Sequence, residues 1–266
     1  MNKKAITFSA ILVTILICSL LASALHLKNQ VDTSPAKNVE SVDLATQTVI
    51  SENLLIESDI QFSNKELNLN SYYFDGNRLY ISVTPEKSKS LTDFNLNSFY
   101  INSKSYKKRA DIIYNSKELE AIIGEKTNFA LVVFNFFKYD KQNKYYVSYN
   151  DLNTKEFFIK GNIAKHKNIE TANEEMTFNF AEFGTTSTVI NCNIDAFIED
   201  ASFKFKTKDN ICTAYLTKKS GNNYSFLIPL KLNEASQGYL IANDENGNVK
   251  LREVVSFKSN DSDEIL

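Results

Sequence analysis

Apolar and polar residues alternate with a period of two along much of the chain, which is the pattern of half-buried β-strands. Stretches with this alternation begin near Leu79, Tyr145, Met176 and Ala201. The run FALVVFNFF at 129–137 is apolar at nearly every position and predicts a central strand that is buried on both faces. No long helical period alternates with these strands. The pattern therefore predicts an antiparallel all-β protein rather than a fold of alternating strands and helices.

Dipeptides that end in glycine separate several of the predicted strands. Such pairs supply the positive φ angles that tight hairpin turns need. They therefore predict three antiparallel hairpins, which turn at Asp75-Gly76, Ser220-Gly221 and Asn246-Gly247.

One short helix is predicted from the segment NSKELEAIIGEK at 115–126. Asn115 or Ser116 can cap its start, and Glu118 stands three residues after Asn115, as in a capping box. Gly124 can end it in the left-handed conformation. The predicted buried side of the helix consists of Leu119, Ile122 and Ile123.

The N-terminus carries the pattern of an export signal. Lys3 and Lys4 precede a mainly apolar segment at residues 5–27, and Ala22 and Ala24 form a small-residue cleavage pattern. Lipidation at Cys18 is disfavoured, because Ile17 stands where a lipoprotein signal needs a small residue. The two favoured outcomes are cleavage after Ala24 and retention of the segment as a membrane anchor helix. Both place the chain after about residue 28 outside the cytoplasm, because positive charge stays inside.

Polar stretches divide the rest of the chain. The second half contains a weak echo of the helix-then-strand pattern of the first half, which predicts two β-sandwich units, with one large sandwich as the alternative. We predict five segments, which are a signal peptide or anchor at 1–27, a polar linker at 28–53, β-sandwich units at 54–164 and 165–258, and an acidic tail at 259–266.

The charge of the chain argues against nucleic acid as a partner. The 266 residues include 30 basic and 32 acidic side chains, for a formal net charge of −2. Binding to phosphate backbones needs a basic excess, which this chain lacks overall. The abundance of Asn, Lys and Ile is typical of an AT-rich bacterial genome.

Two cysteines lie beyond the export segment. Cys192 and Cys212 each share a predicted strand face with apolar residues. In an exported chain such a pair predicts a disulfide, and two buried free thiols are the alternative.

The sequence contains no recognisable catalytic or metal-binding motif. Its two histidines are His26, in the export segment, and His166, in a lysine-rich junction. Neither H-x-x-H, nor a phosphate-binding glycine loop, nor G-x-S-x-G occurs. We therefore expect no metal, no cofactor and no enzymatic activity.

One polar and aromatic surface stands out as a candidate binding site. Lysine and tyrosine on an exposed sheet face can bind a peptide, a glycan or an anionic envelope polymer, by charge and by stacking. The alternative is a hairpin whose tyrosines fill the core. The candidate residues are Lys104, Lys107, Lys108, Arg109, Tyr139 and Tyr146.

An export segment, a linker and strand-rich units together resemble the immunoglobulin-like ectodomains of Gram-positive surface proteins. The resemblance is one of architecture, and it transfers no functional residues. It implies a non-catalytic binding or interaction protein at the cell surface, either secreted or anchored by its N-terminus. Its partner would be a protein or an envelope polymer. The alternatives are the anchored ectodomain of an envelope sensing complex and an enzyme of unfamiliar type.

Overall fold

A computed structural model describes residues 42–62, 67–85, 98–167, 176–194, 200–206, 211–232, 237–243, 246 and 248–256. The predicted export segment, residues 28–41 of the predicted linker and the predicted acidic tail lie outside these ranges. Within them, no helix is both long enough and apolar enough to cross a membrane.

The described part of the chain consists of two short helices and many strands. The first half contains α1 (Leu44–Ser51), β1 (Ile56–Gln61), β2 (Leu67–Phe74), β3 (Leu79–Pro85), β4 (Phe99–Asn102), β5 (Lys107–Arg109), β6 (Ile112–Tyr114), α2 (Ser116–Ile123), β7 (Ala130–Phe134), β8 (Tyr146–Tyr149) and β9 (Leu152–Asn153). The second half contains β10 (Lys165–Lys167), β11 (Met176–Phe183), β12 (Thr188–Ile194), β13 (Asp200–Lys206), β14 (Ile211–Thr213), β15 (Tyr215–Ser220), β16 (Asn223–Ile228), β17 (Gln237–Asn243) and β18 (Val249–Ser256).

Each half forms two antiparallel sheets, which confirms the all-β prediction. The sheets of the first half have the orders β1-β2-β3-β7-β6 and β5-β4-β8-β9. Those of the second half have the orders β10-β11-β12-β16-β15 and β14-β13-β17-β18. Each strand of the second half therefore takes the position of the strand numbered nine lower in the first half.

In each half the two sheets face each other across an apolar core. Phe74 and Leu79 of one sheet pack with Phe99 and Val147 of the other in the first half. The second core has the same arrangement, with Ile190 and Phe226 facing Phe203 and Phe205. Period-two alternation produces these cores, since every second residue of a strand points to the same side.

The strand pairs of the three predicted hairpins are confirmed as antiparallel, while Gly247 of the third predicted turn lies outside the described residues. β2 pairs with β3, β15 with β16, and β17 with β18. Gly76 and Gly221 occupy the left-handed region at φ values of 109° and 58°. The apolar run at 129–137 gives the fully buried strand β7, but this strand ends at Phe134, and the chain turns at Phe136 with φ 52°.

Helix α2 begins and ends where the sequence predicts. Asn115 caps it within a complete capping box with Glu118, and Gly124 ends it in the left-handed conformation. Leu119 is fully buried. Ile123 is 37% exposed, so its predicted burial is wrong.

Helix α1 corrects the predicted linker, because residues 44–51 are helical. Asp43 is its N-cap, and its buried apolar positions include Ala45 and Val49. Together with α2, this helix covers the outer face of the β1-β2-β3-β7-β6 sheet, where Leu131 and Val133 lie. That sheet is therefore buried on both faces, which explains why β7 is apolar throughout.

Candidate functional site

The outer face of the β5-β4-β8-β9 sheet gathers most of the predicted binding residues. Pairing across the strands sets two rows of side chains on this face. One row runs Arg109, Tyr100, Ser148, Asn153, and the other runs Lys107, Asn102, Tyr146. Lys104 lies in the turn between β4 and β5 and is exposed. We call these seven strand residues together with Lys104 the basic face.

Every charged residue in the four strands of this sheet is basic. Lys107 is exposed and Arg109 is half-buried. The remaining members of the rows are tyrosines, asparagines and a serine, all of which carry hydrogen-bond donors. The face therefore combines positive charge with neutral donors and lacks a carboxylate.

The Lys107 side chain lies over an aromatic ring of the same face. Its Nζ atom is 4.4 Å from the centroid of Tyr100. This cation–π contact limits the freedom of the lysine and holds its charge above the sheet. Tyr146 is half-buried in the neighbouring strand.

Two of the predicted surface residues do not belong to this face. Lys108 pairs across the strands with buried Ile101, so it belongs to the opposite side of the sheet, and its own exposure is only 4%. Its Nζ atom lies 3.3 Å from the carboxylate of Asp111. Tyr139 packs its ring against Phe74 and donates a hydrogen bond to the carbonyl of Ile159. The period-two alternation of β5 accounts for the position of Lys108, since it lies between two outward residues.

A cleft of about 490 Å³ lies where the two halves meet. Its walls include Phe136, Phe137 and Tyr139 of the first half and Phe180 and Val189 of the second. Pockets at such junctions are common ligand sites, so this cleft is the second candidate site.

A buried network around Asp75 joins the halves beside this cleft. One carboxylate oxygen of Asp75 accepts hydrogen bonds from the backbone of Asn77 and Arg78 at 2.7 and 2.6 Å. The other accepts from the hydroxyls of Thr186 and Ser187, both at 2.7 Å. The turn between β2 and β3 is thereby fastened to the turn between β11 and β12.

A second network centres on Asp43 and joins α1 to both halves. The Arg78 guanidinium binds its carboxylate in a bidentate pair at 3.0 and 2.8 Å. Tyr114 of the first half and Tyr215 of the second each donate a hydrogen bond to the same carboxylate, at 3.0 and 3.1 Å.

Burial sets the electrostatics of this second network. It opposes ionisation of Asp43, but the Arg78 charge and the hydrogen bonds outweigh it and hold the pKa of Asp43 below its ordinary value. Burial also raises the pKa of Tyr114 and Tyr215, so both stay neutral donors. The arrangement is a structural clasp in which the buried charges of Asp43 and Arg78 pair with each other.

The predicted bridge to Cys212 stays a prediction, because the side chain of Cys212 lies outside the described residues. Cys192 is a free, buried cysteine in the structure. Its strand β12 and the strand β14 of Cys212 belong to different sheets. Burial raises the pKa of the Cys192 thiol to about 12, which keeps it protonated and unreactive.

The described residues include no group of three or more His, Cys, Asp or Glu side chains that could hold a metal ion. His166, predicted as a junction residue, lies in β10, and its ring contacts Phe180 at a centroid distance of 4.6 Å.

Sequence reasoning missed Tyr100, the Asp75 network and the Asp43 clasp. One signal for the clasp was present. Val42, Ala45 and Val49 follow helical spacing, with an N-cap aspartate between the first two. The contact between Asp43 and Tyr215 spans 172 residues and has no local signature.

No family model matches the chain, and no curated protein matches it either. Among solved structures, it is similar to the conserved domain protein from Bacillus anthracis, with 13% identity and a TM-score of 0.46. That match covers 82% of this chain and 93% of the other. A type I pullulanase from Bacillus subtilis str. 168, complexed with maltose, matches with 10% identity and a TM-score of 0.23, over 74% of this chain and 24% of its own.

Proposed function

We propose that the protein is an extracytoplasmic binding protein without catalytic activity, secreted or held at the cell surface by its N-terminus. The observation that carries this proposal is the basic face, on which Lys104, Lys107 and Arg109 stand beside tyrosines and neutral donors. A face of this kind can hold a ligand by charge and stacking, but it offers no general base or nucleophile pair for catalysis. The export pattern of residues 5–27 supports the location.

We also propose that each half is an immunoglobulin-like sandwich. The strand order supports this assignment. In the first half, the eight strands β2 to β9 follow the order A, B, C, C′, D, E, F, G, with β2-β3-β7-β6 in one sheet and β5-β4-β8-β9 in the other. Strand β1 adds to the first sheet, and the second half repeats the order.

A retention experiment on the cell envelope tests the proposed function. Full-length protein in mild detergent is mixed with isolated envelope from the producing organism, and the bound fraction is measured. Binding should fall when Lys107→Gln and Arg109→Gln are combined, because most of the exposed charge of the face is then gone. Equal retention of this variant and the wild type would contradict the proposal. So would labelling of Lys107 by a membrane-impermeant amine reagent only after the cells are broken.

A further inference from the structure

The small size of the basic face restricts the ligands that it can bind. Its strands are two to four residues long, and only seven of their residues lie on the outer side. A stable protein–protein interface takes about 20–30 residues from each partner. The face alone is therefore too small for a folded protein partner, whereas a single extended chain could lie along it.

Its positive groups lie along one edge. β5 is the edge strand of the sheet, and it carries both Lys107 and Arg109. Because Lys107 and Arg109 are two residues apart on one strand, their Cα atoms are about 7 Å from each other. Lys104 continues this line in the turn that precedes β5. A linear ligand with regularly spaced negative charges can meet these cations in succession.

The row of Arg109 offers several donors to a ligand, whereas Asn102 of the other row is buried and donates to Ser148 within the sheet. The row of Arg109 adds the hydroxyl groups of Tyr100 and Ser148 and the amide of Asn153. The Nη2 atom of Arg109 is buried, so only part of its guanidinium can reach a ligand. A carboxylate presents two oxygens in one plane, whereas a phosphate presents its oxygens in a tetrahedral arrangement that donors at different positions along the row can reach. The donor set therefore favours phosphate.

We infer that the basic face binds a linear, phosphate-bearing polymer of the cell envelope along the β5 edge. This inference rests on the proposed binding function and names the chemistry of its ligand. The phosphates pair with Lys104, Lys107 and Arg109 in turn, and the tyrosine hydroxyls and the exposed amide of Asn153 complete their hydrogen bonds. An acidic segment of a protein is the competing ligand that the experiment must separate.

The experiment measures binding of two defined polymers by calorimetry at several salt concentrations. The probes are poly(glycerol phosphate) and poly-L-glutamate, each titrated into the full-length protein in a nonionic detergent. The test variant combines Lys107→Gln with Arg109→Gln. The control variant combines Lys117→Gln with Lys126→Gln, which removes the same charge from exposed lysines on and after α2.

For the wild type, three phosphate contacts should give a slope of log K against log salt of about −2 with poly(glycerol phosphate). The test variant should bind at least about tenfold more weakly, with a slope near −0.7, because one contact remains. The control variant should stay within about twofold of the wild type, since its lysines lie off the face. Poly-L-glutamate should bind the wild type clearly more weakly than the phosphate polymer.

Each contrary result overturns a different statement. If poly-L-glutamate binds as tightly as poly(glycerol phosphate) and is equally sensitive to the test variant, the phosphate inference is wrong while the binding function survives. If neither polymer binds, or if both double variants weaken binding alike, the basic face is not the site. The envelope retention experiment then decides the proposed function separately.

Discussion

Replacement of Asp43 by asparagine tests whether the clasp holds α1 and the two halves together. The change keeps the size of the side chain and its ability to cap a helix, because asparagine is as good an N-cap as aspartate. It removes the charge that Arg78 faces, and it replaces one of the two oxygens that accept hydrogen bonds from Arg78, Tyr114 and Tyr215. The Arg78 side chain is fully buried, and the carboxylate of Asp43 is its ion-pair partner at 2.8 Å.

The expected loss in the free energy of unfolding follows from the charge of Arg78, which stays buried without its partner. A buried ion pair that loses one partner costs about 3–5 kcal/mol, since the other charge stays out of water without compensation. For a chain of this size each kcal/mol lowers the Tm by about 2–4 °C, so we expect a drop of roughly 10 °C. The measurement is thermal unfolding followed by circular dichroism, with chemical denaturation for the free energy of unfolding.

A control variant at Asn115 and a second substitution at Arg78 show whether the loss of stability comes from the broken ion pair. Asn115→Asp exchanges the same two residue types at the N-cap of α2 and should change the free energy of unfolding by less than about 0.5 kcal/mol. Adding Arg78→Met to Asp43→Asn removes the unpaired buried charge and should recover part of the lost free energy of unfolding. A loss below about 1 kcal/mol for Asp43→Asn, or a double variant less stable than Asp43→Asn alone, would refute the reasoning.

Three further predictions concern pH, glycine and cysteine. The stability difference between wild type and Asp43→Asn should be constant above about pH 4, the unfolded pKa of aspartate, and should shrink in more acid solution, because the folded pKa is lowered. Gly76→Ala should lower the free energy of unfolding by about 3 kcal/mol, since φ is 109° and the new Cβ would lie 2.7 Å from the backbone nitrogen of Ala164. Gly221→Ala should lower it by only about 1 kcal/mol, since no atom lies within 4 Å of the new Cβ. Cys192 should resist iodoacetamide at pH 8 in the folded protein and react once the protein unfolds without reductant. Protection that persists in the unfolded protein until a reductant is added would contradict the free thiol and support the predicted disulfide.

The sequence predicted the elements that short stretches of residues determine. The capping box at Asn115 and the glycine at position 124 define α2 within a few residues, and the structure has both. The hairpin at Gly76 likewise follows from one dipeptide and the alternation around it. These features need no knowledge of the rest of the fold.

Features that depend on distant contacts escaped prediction. Half of the residues of α1 are apolar, and their helical spacing is a local signal. The sheet surface that buries them and the pairing of Asp43 with Arg78 depend on distant contacts that this signal does not reveal. For the same reason, the sequence predicted only part of the basic face. Alternation within β5 separates Lys107 and Arg109 from Lys108, but the contribution of Tyr100 depends on the pairing of β4 with β5. Pairing partners are set by the whole sheet.

Crosslinking in living cells tests most directly whether the basic face is the binding site. A photo-crosslinking phenylalanine analogue replaces Tyr146 on the face, and the same analogue replaces Ile123 on α2 as an exposed control. After irradiation, envelope polymer attached to the protein is detected by its change in mobility and by its phosphate content. We expect an adduct from position 146 and none from position 123. No adduct at position 146, or equal adducts at both positions, would contradict a binding function for this face.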